Sequence, residues 1–149
     1  REIEGSTKML RRAYDLGVPM LCGSESGFAL TPYGEWHWRE LEVFVKYMGL
    51  SPLQAIRCAT AEGARAMGLY GQTGVVADGY LADLLIIDGD PSRDVRVLGD
   101  KSRIRHIFVG GRAVDLSQPL PVRKPISGWR LSPFAARHLT QDVAAEQET

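Results

Sequence analysis

One carboxylate is set apart by where it falls. Glu25 lies in Gly23-Ser24-Glu25-Ser26-Gly27, directly after the apolar run Val18 to Cys22. A carboxylate so placed can take and return a proton during hydrolysis, or ligate a metal. Taken alone, an acid between two serines reads as a solvated loop group, because isolated loop acids are mostly at the surface. His37, in Glu35-Trp36-His37-Trp38, reads equally as a contact at the mouth of a site and as a helix-start residue packing on its own loop. His106 alternates with Ile104 and reads as a sheet-surface residue, and His138 lies in a polar tail. Histidines this far apart make no metal-ligand spacing, and no His-x-His pair occurs. Phe28, Tyr33, Trp36 and Trp38 could line an apolar substrate pocket or pack a long loop. Their closeness to Glu25 favours the pocket for Phe28, Tyr33 and Trp36, while Trp129 reads as an anchor onto another surface. Cys22 and Cys58 sit in apolar contexts, read as small core residues, and make no disulfide framework.

The elements that must hold these residues follow from periodicity. Residues 2–16 put Met9, Leu10, Ala13 and Tyr14 on one helical face, with Arg11, Arg12 and Asp15 turned away and Gly17 ending the helix. Val18 to Cys22 lacks polar alternation, as in a strand buried on both faces of a parallel sheet. Gly23 to Gly27 must be a loop, and 28–36 a longer one. From His37 to Tyr47 a helix is expected, with Leu41, Phe44, Val45 and Met48 on one face and Gly49 closing it. Ser51 and Gln54 form a capping-box pair around Pro52 at the first helical position, with Leu53, Ile56 and Ala59 as the buried stripe. Thr60 is expected to cap a short helix, Ala61 to Met67, ended by Gly68. Past Gly71 the texture changes. Gly74-Val75-Val76 and Ala82 to Asp88 read as strands, and Arg103 to Val109, Gly110-Gly111 and Arg112 to Asp115 read as a hairpin. The stretch from Ser117 to Thr149 is Pro-rich and polar, with room for a short helix near Pro133 to Leu139 and a frayed end.

The 149 residues carry no net charge, which gives no electrostatic footprint for nucleic acid or an anionic membrane surface. No apolar run approaches the roughly 18 residues of a spanning helix. A cytoplasmic home fits two isolated cysteines. A buried parallel strand needs neighbours on both sides, and this sequence supplies none. The chain also opens at Arg1 in what reads as mid-helix. It is therefore expected to be a piece of a larger fold.

Four segments, in order, resemble the amidohydrolase superfamily, nearest to its imidazolonepropionase-like branch. Gly17 to Gly27 resembles the end of the eighth barrel strand. Ser51 to Leu69 is similar to the terminal helices. Gly74 to Asp88 is similar to the return into the small β-domain, and Arg103 to Val114 to that domain's last hairpin. The match runs from about residue 8 to 116, and Gly79 to Asp88 is its most distinctive part. Its job is structural: Gly79 permits a turn, Ala82 packs tightly, and Leu84 to Ile87 forms a strand.

The resemblance implies an α/β chain. Residues 1–70 would form the terminal strand and helices of a (β/α)8 barrel, 71–116 strands of a small composite β-domain, and 117–149 a tail. It implies a metal-dependent hydrolase of C–N bonds in an amide, carbamate or urea, with zinc, or else cobalt or manganese, held mostly by residues outside this chain. Glu25 then stands at the strand end, where TIM-barrel catalytic groups sit, as metal ligand and general base and acid. Phe28, Tyr33, Trp36 and His37 would contact the small-molecule substrate. The family carries Asp where this chain has Glu25. The extra methylene moves the carboxylate by about 1 Å, a misplacement that can cost on the order of 10²-fold in rate. The partners implied are the N-terminal portion of the same enzyme, as a separate chain or a cleaved segment, and further copies in a homo-oligomer. By itself the chain is expected to be inactive. The competing readings are a non-catalytic amidohydrolase-like scaffold, favoured by the Asp-to-Glu change, and an independent binding domain.

Overall fold

In the computed structural model, residues 2–27, 34 and 36–117 are described. In chain order they form α1 (Glu2–Asp15), α2 (Trp36–Met48), α3 (Pro52–Ala59), α4 (Ala61–Ala66), β1 (Leu84–Ile87), short 3-10 helices at Val95–Gly99 and Lys101–Arg103, β2 (Ile104–Val109) and β3 (Arg112–Ala113). The expected helix at Pro133 to Leu139 lies outside the described residues.

The helix ends follow backbone chemistry written in the sequence. Gly17, at φ +83°, closes α1 with paired bonds from its own N–H to Tyr14 O and from Val18 N–H to Ala13 O. This geometry satisfies carbonyls the helix would otherwise leave bare. At α3 the Ser51 hydroxyl accepts from Gln54 N–H and the Gln54 side chain accepts from Ser51 N–H, with Pro52 first in the helix. The capping box is thus present as expected. Thr60 behaves otherwise. Its hydroxyl donates back to Ile56 O at 2.8 Å, so it ends α3 and leaves α4 without a side-chain cap.

The core joins α2, α3 and a segment not anticipated as core. Leu41, Phe44, Met48, Leu50, Ala55, Cys58 and Val95 form one buried cluster. Each large apolar side chain there contributes about 1.5–3 kcal/mol when fully covered. Leu41, Phe44 and Met48 are the expected face of α2. On α3 the expected stripe is corrected: Leu53 is 63% exposed and Ala59 is also exposed. The buried pair is Ala55 and Cys58, small enough for α2 to come close, with Ile56 half-buried beside them. The face of α1 is corrected too. Met9 is 74% exposed, whereas Arg11 is drawn inward. Its Nη1 donates to Gly49 O at 2.6 Å and Met48 O at 3.3 Å, satisfying carbonyls at the C-terminus of α2. Tyr14, one turn on, packs on the core.

Val18 to Cys22 forms no regular strand. Met20 and Cys22 pack against the core while Val18 and Leu21 are about half exposed, so one face is covered rather than two. The described residues offer no neighbouring strand to pair with it. Gly74-Val75-Val76 is likewise no strand. Gly74 sits at φ +84° against α4, where a Cβ would lie 2.8 Å from Thr60 O and from Ala64 Cβ, and Val76 points to solvent.

The sheet has order β1-β2-β3, all antiparallel. Gly110 and Gly111 make the expected hairpin turn with both φ values positive. Leu84 pairs Phe108 and Ile86 pairs His106, but Ile87 pairs Ile104, which leaves Arg105 as an extra residue in β2. Arg105 uses that position to pair with the Asp88 carboxylate. Asp83 ties the sheet to the preceding loop: its Oδ1 accepts from Gly110 N–H and its Oδ2 from the Thr73 hydroxyl, both at 2.7 Å. Those bonds, first the backbone one, hold its carboxyl below the ordinary range. The 3-10 helices start at Asp94 and Asp100, whose side chains accept from Arg96 and Ser102 N–H. This is the local bonding that short acidic side chains favour.

Candidate functional site

Glu25 follows the Val18 to Cys22 segment, two residues after Gly23. Its φ is +47°, the only positive value outside glycine among the described residues. That conformation costs an L-residue roughly 1–2 kcal/mol. Strain of this kind persists where the surroundings hold it in place, and it clusters at functional positions. The Glu25 side chain is exposed.

The loop is fastened by the first turns of α2. Gly23 N–H donates to Glu40 Oε1 at 2.9 Å. Ser24 Oγ lies 3.1 Å from His37 Nδ1 and 2.9 Å from Ser26 Oγ. His37 and Glu40 are three residues apart on α2, so both face the same way and hold adjacent loop residues. The structure therefore brings His37 to the Glu25 loop through Ser24. Trp36 is half-buried at the first residue of α2. Phe28 and Tyr33 lie outside the described residues. His106 is exposed on β2, as expected, although burial along that strand does not alternate, and its ring is tilted against Phe108.

Behind the loop, burial pushes the Cys22 thiol up to about 12, with the Glu40 charge and then Cys58 adding to it. Burial also raises the Cys58 thiol. Both cysteines are free, and Cys58 is buried as expected. Glu40 and Ser24 are the residues sequence reasoning missed. The i, i+3 spacing of His37 and Glu40 on a predicted helix was the signal that could have found Glu40.

No three His, Cys, Asp or Glu side chains gather into a metal-holding group among the described residues. Glu25 can offer one carboxylate, but the described residues do not by themselves fit a metal centre. A separate groove of about 610 Å³ runs between α2, α3 and the sheet, lined by Trp38, Leu41, Ile56, Val75, Leu84 and Leu98. It is mainly apolar, and His37 stands at its wall. No helix of the described residues is long and apolar enough to cross a membrane.

Comparison with known proteins places this geometry. The model of the Amidohydrolase family matches residues 2–114. Ochratoxinase from Aspergillus niger is 32% identical over 74 residues, which are 49% of this chain and 15% of that protein. Imidazolonepropionase from Rubrobacter xylanophilus is 46% identical over 41 residues, 28% of this chain and 10% of that protein. The crystal structure of A. niger ochratoxinase superposes with a TM-score of 0.63 at 28% identity, covering 72% of this chain and 24% of that one. A Xaa-Pro dipeptidase structure does so with a TM-score of 0.63 at 28% identity, over 73% and 25%. The chain thus spans well under a third of each of these proteins. Family and neighbours imply a TIM-barrel-type hydrolase architecture, of which the described residues are a small α/β portion with a three-stranded sheet. With a family match over most of its length, the chain belongs to the amidohydrolase family.

Proposed function

We propose that this chain is the C-terminal part of a metal-dependent hydrolase of C–N bonds, acting on a small, rather apolar amide, carbamate or urea. The observation that carries the reading is Glu25, kept at φ +47° on a loop that Gly23–Glu40 and Ser24–His37 fasten to α2. Glu25 takes a proton from the attacking water and returns it to the leaving nitrogen. His37 and Trp36, with Phe28 and Tyr33, contact the substrate. A divalent metal, zinc with cobalt or manganese as substitutes, supplies an acidified water when bound. Most of its ligands come from the N-terminal portion of the enzyme, and the assembled protein is a cytoplasmic homo-oligomer. In this reading residues 1–70 belong to the barrel, 71–116 to the small β-domain and 117–149 to the tail.

The test is to combine this chain with the segment that completes the barrel and assay amide hydrolysis with added zinc or cobalt. Hydrolysis that falls at least about 10²-fold on Glu25→Gln, with folding unchanged, is expected. No activity and no bound metal in the assembled protein would sink the proposal. Glu at position 25, where the family has Asp, supports a second reading, a non-catalytic scaffold. Near-stoichiometric metal in the assembled protein would reject it.

A further inference from the structure

Burial alternates residue by residue from Leu21 to Gly27. Cys22, Ser24 and Ser26 are part-buried, while Leu21, Gly23, Glu25 and Gly27 are exposed. The covered residues are the ones held: Cys22 packs on the core, and Ser24 Oγ lies 2.9 Å from Ser26 Oγ and 3.1 Å from His37 Nδ1. The Ser24–Ser26 contact spans Glu25. A bond between the side chains on either side of a residue closes a ring around it and restricts its two soft backbone torsions. The His37 contact anchors that ring to α2. A hydroxyl donates once and accepts twice. The chain of bonds therefore runs from Ser26 O–H through Ser24 to a bare Nδ1, or from Nδ1–H through Ser24 to Ser26, and either tautomer of His37 completes it. Glu25 holds φ +47°, a conformation whose cost to an L-residue is comparable with the net worth of one hydrogen bond. Two bonds meeting on one hydroxyl outweigh that cost, and both are lost with Ser24 Oγ.

We propose that Ser24 is a positioning residue for Glu25: its hydroxyl, bonded to Ser26 across the turn and to His37 on α2, holds the left-handed backbone from which the Glu25 carboxylate is presented. The Gly23–Glu40 bond, one residue earlier, fixes the entry of the loop to α2 but leaves the Glu25 torsions open. The catalytic side of this inference rests on the hydrolase reading; the hold on the turn does not.

The experiment compares Ser24→Ala and Ser24→Thr in the complete protein. The left-handed φ is read as the strong intraresidue HN–Hα Overhauser effect of Glu25, the His37 contact as the nitrogen chemical shift of its Nδ1, and the chemistry as kcat against KM. Ser24→Ala should weaken the Glu25 effect, move the Nδ1 shift and lower kcat about 10²-fold as the carboxylate wanders by about 1 Å, with KM little changed. Ser24→Thr returns the hydroxyl and should restore all three. The deciding arm is Ser24→Ala in a Glu25→Gln background. A residue that acts only through Glu25 adds little there. A further loss as large as in the wild-type background would mean that Ser24 acts by another route, and would overturn the proposal. Wild-type kcat in an active Ser24→Ala protein, or an unchanged Glu25 effect in a folded one, overturns it as well. Should Ser24→Ala fail to fold, Ser26→Ala removes the bond across the turn alone: a kcat about 10-fold low supports the hold, and wild-type kcat overturns it. An inactive wild type in which Ser24→Ala still releases the Glu25 turn supports the hold and refutes the hydrolase reading alone.

Discussion

Gly99 closes the first 3-10 helix directly against the indole of Trp38, and Gly99→Ala tests how that contact seats α2. A Cβ built there would lie 2.5 Å from Trp38 Cε2 and 2.8 Å from Cδ2 and Cζ2. Carbon atoms rest at about 3.5–4.0 Å, so the indole or the turn must give by roughly 1 Å. The φ of Gly99 is outside the left-handed region, so no backbone strain enters and the effect is steric alone. Overpacking costs about 1–3 kcal/mol, and the stiffer unfolded chain returns about 0.4–1 kcal/mol. The expected net loss is about 1–2 kcal/mol, read as a lower urea midpoint by far-UV circular dichroism. The decisive arm is the cycle with Trp38→Leu. Without the indole, Gly99→Ala should be neutral or stabilise by about 0.4–1 kcal/mol, which makes the two positions strongly non-additive. The Arg39 guanidinium lies 4.8 Å from the Trp38 ring centroid, and its loss is common to both Leu arms and cancels. An equal cost for Gly99→Ala in both backgrounds would refute the packing. Because Trp38 lies between His37 and Glu40 on α2, the single variant should also speed exchange at the Gly23 amide.

Ser51→Ala removes the acceptor of the Gln54 N–H and should cost about 1 kcal/mol, measured by urea denaturation, with faster exchange at Gln54. Asp83→Ala should lower the urea midpoint at pH 7. The carboxyl is held below its ordinary value of 3.8, so its contribution is whole above that value and lost as pH falls through the lower folded one. The difference between wild type and variant should therefore shrink when midpoints are measured down to pH 3 and below. Cys22 carries the opposite sign. Its folded value, about 12, lies above the ordinary 9.0, so the unfolded chain releases the proton first. Its contribution is whole below pH 9 and drains away as pH rises toward 12. Iodoacetamide at pH 8.5 should label Cys22 more slowly in the folded protein than in urea, and equal rates would contradict its burial.

Local rules that depend on one or two residues were legible in the sequence. The Ser51–Gln54 box, the Gly17 and Gly49 stops and the Gly110-Gly111 hairpin stand where the residues put them. So does the apolar face of α2. What was not legible depends on which surfaces meet. The direction of α1 is decided by Arg11 reaching carbonyls 37 and 38 residues away, and no local period carries that information. Ala55, rather than Leu53, faces α2 because close approach rewards a small side chain over a large one. Val95 enters the core from a segment whose Asp-rich turns resemble loop, and Gly74 is committed to a tight contact where its neighbours suggest a strand. At the Glu25 loop, the break after Cys22 was legible, but the left-handed backbone of Glu25 and the bond from Gly23 to Glu40 depend on α2 folding back over the loop.

The Arg11 clamp has a consequence for how the molecule responds to ionic strength. α1 leads straight into the segment that carries Glu25, yet it is moored to α2 by a guanidinium on two carbonyls as much as by Tyr14. Arg11 is also bound by Asp15, four residues along the same helix. Screening length falls from about 30 Å at 0.01 M salt to about 3 Å at 1 M. The exposed Arg11–Asp15 ion pair, which orients that guanidinium, weakens over that range, whereas the Leu41–Phe44–Met48 contacts do not. The chain thus holds one arm whose grip salt can tune and a centre that salt leaves alone, so its amides should exchange in two populations that separate as salt is added.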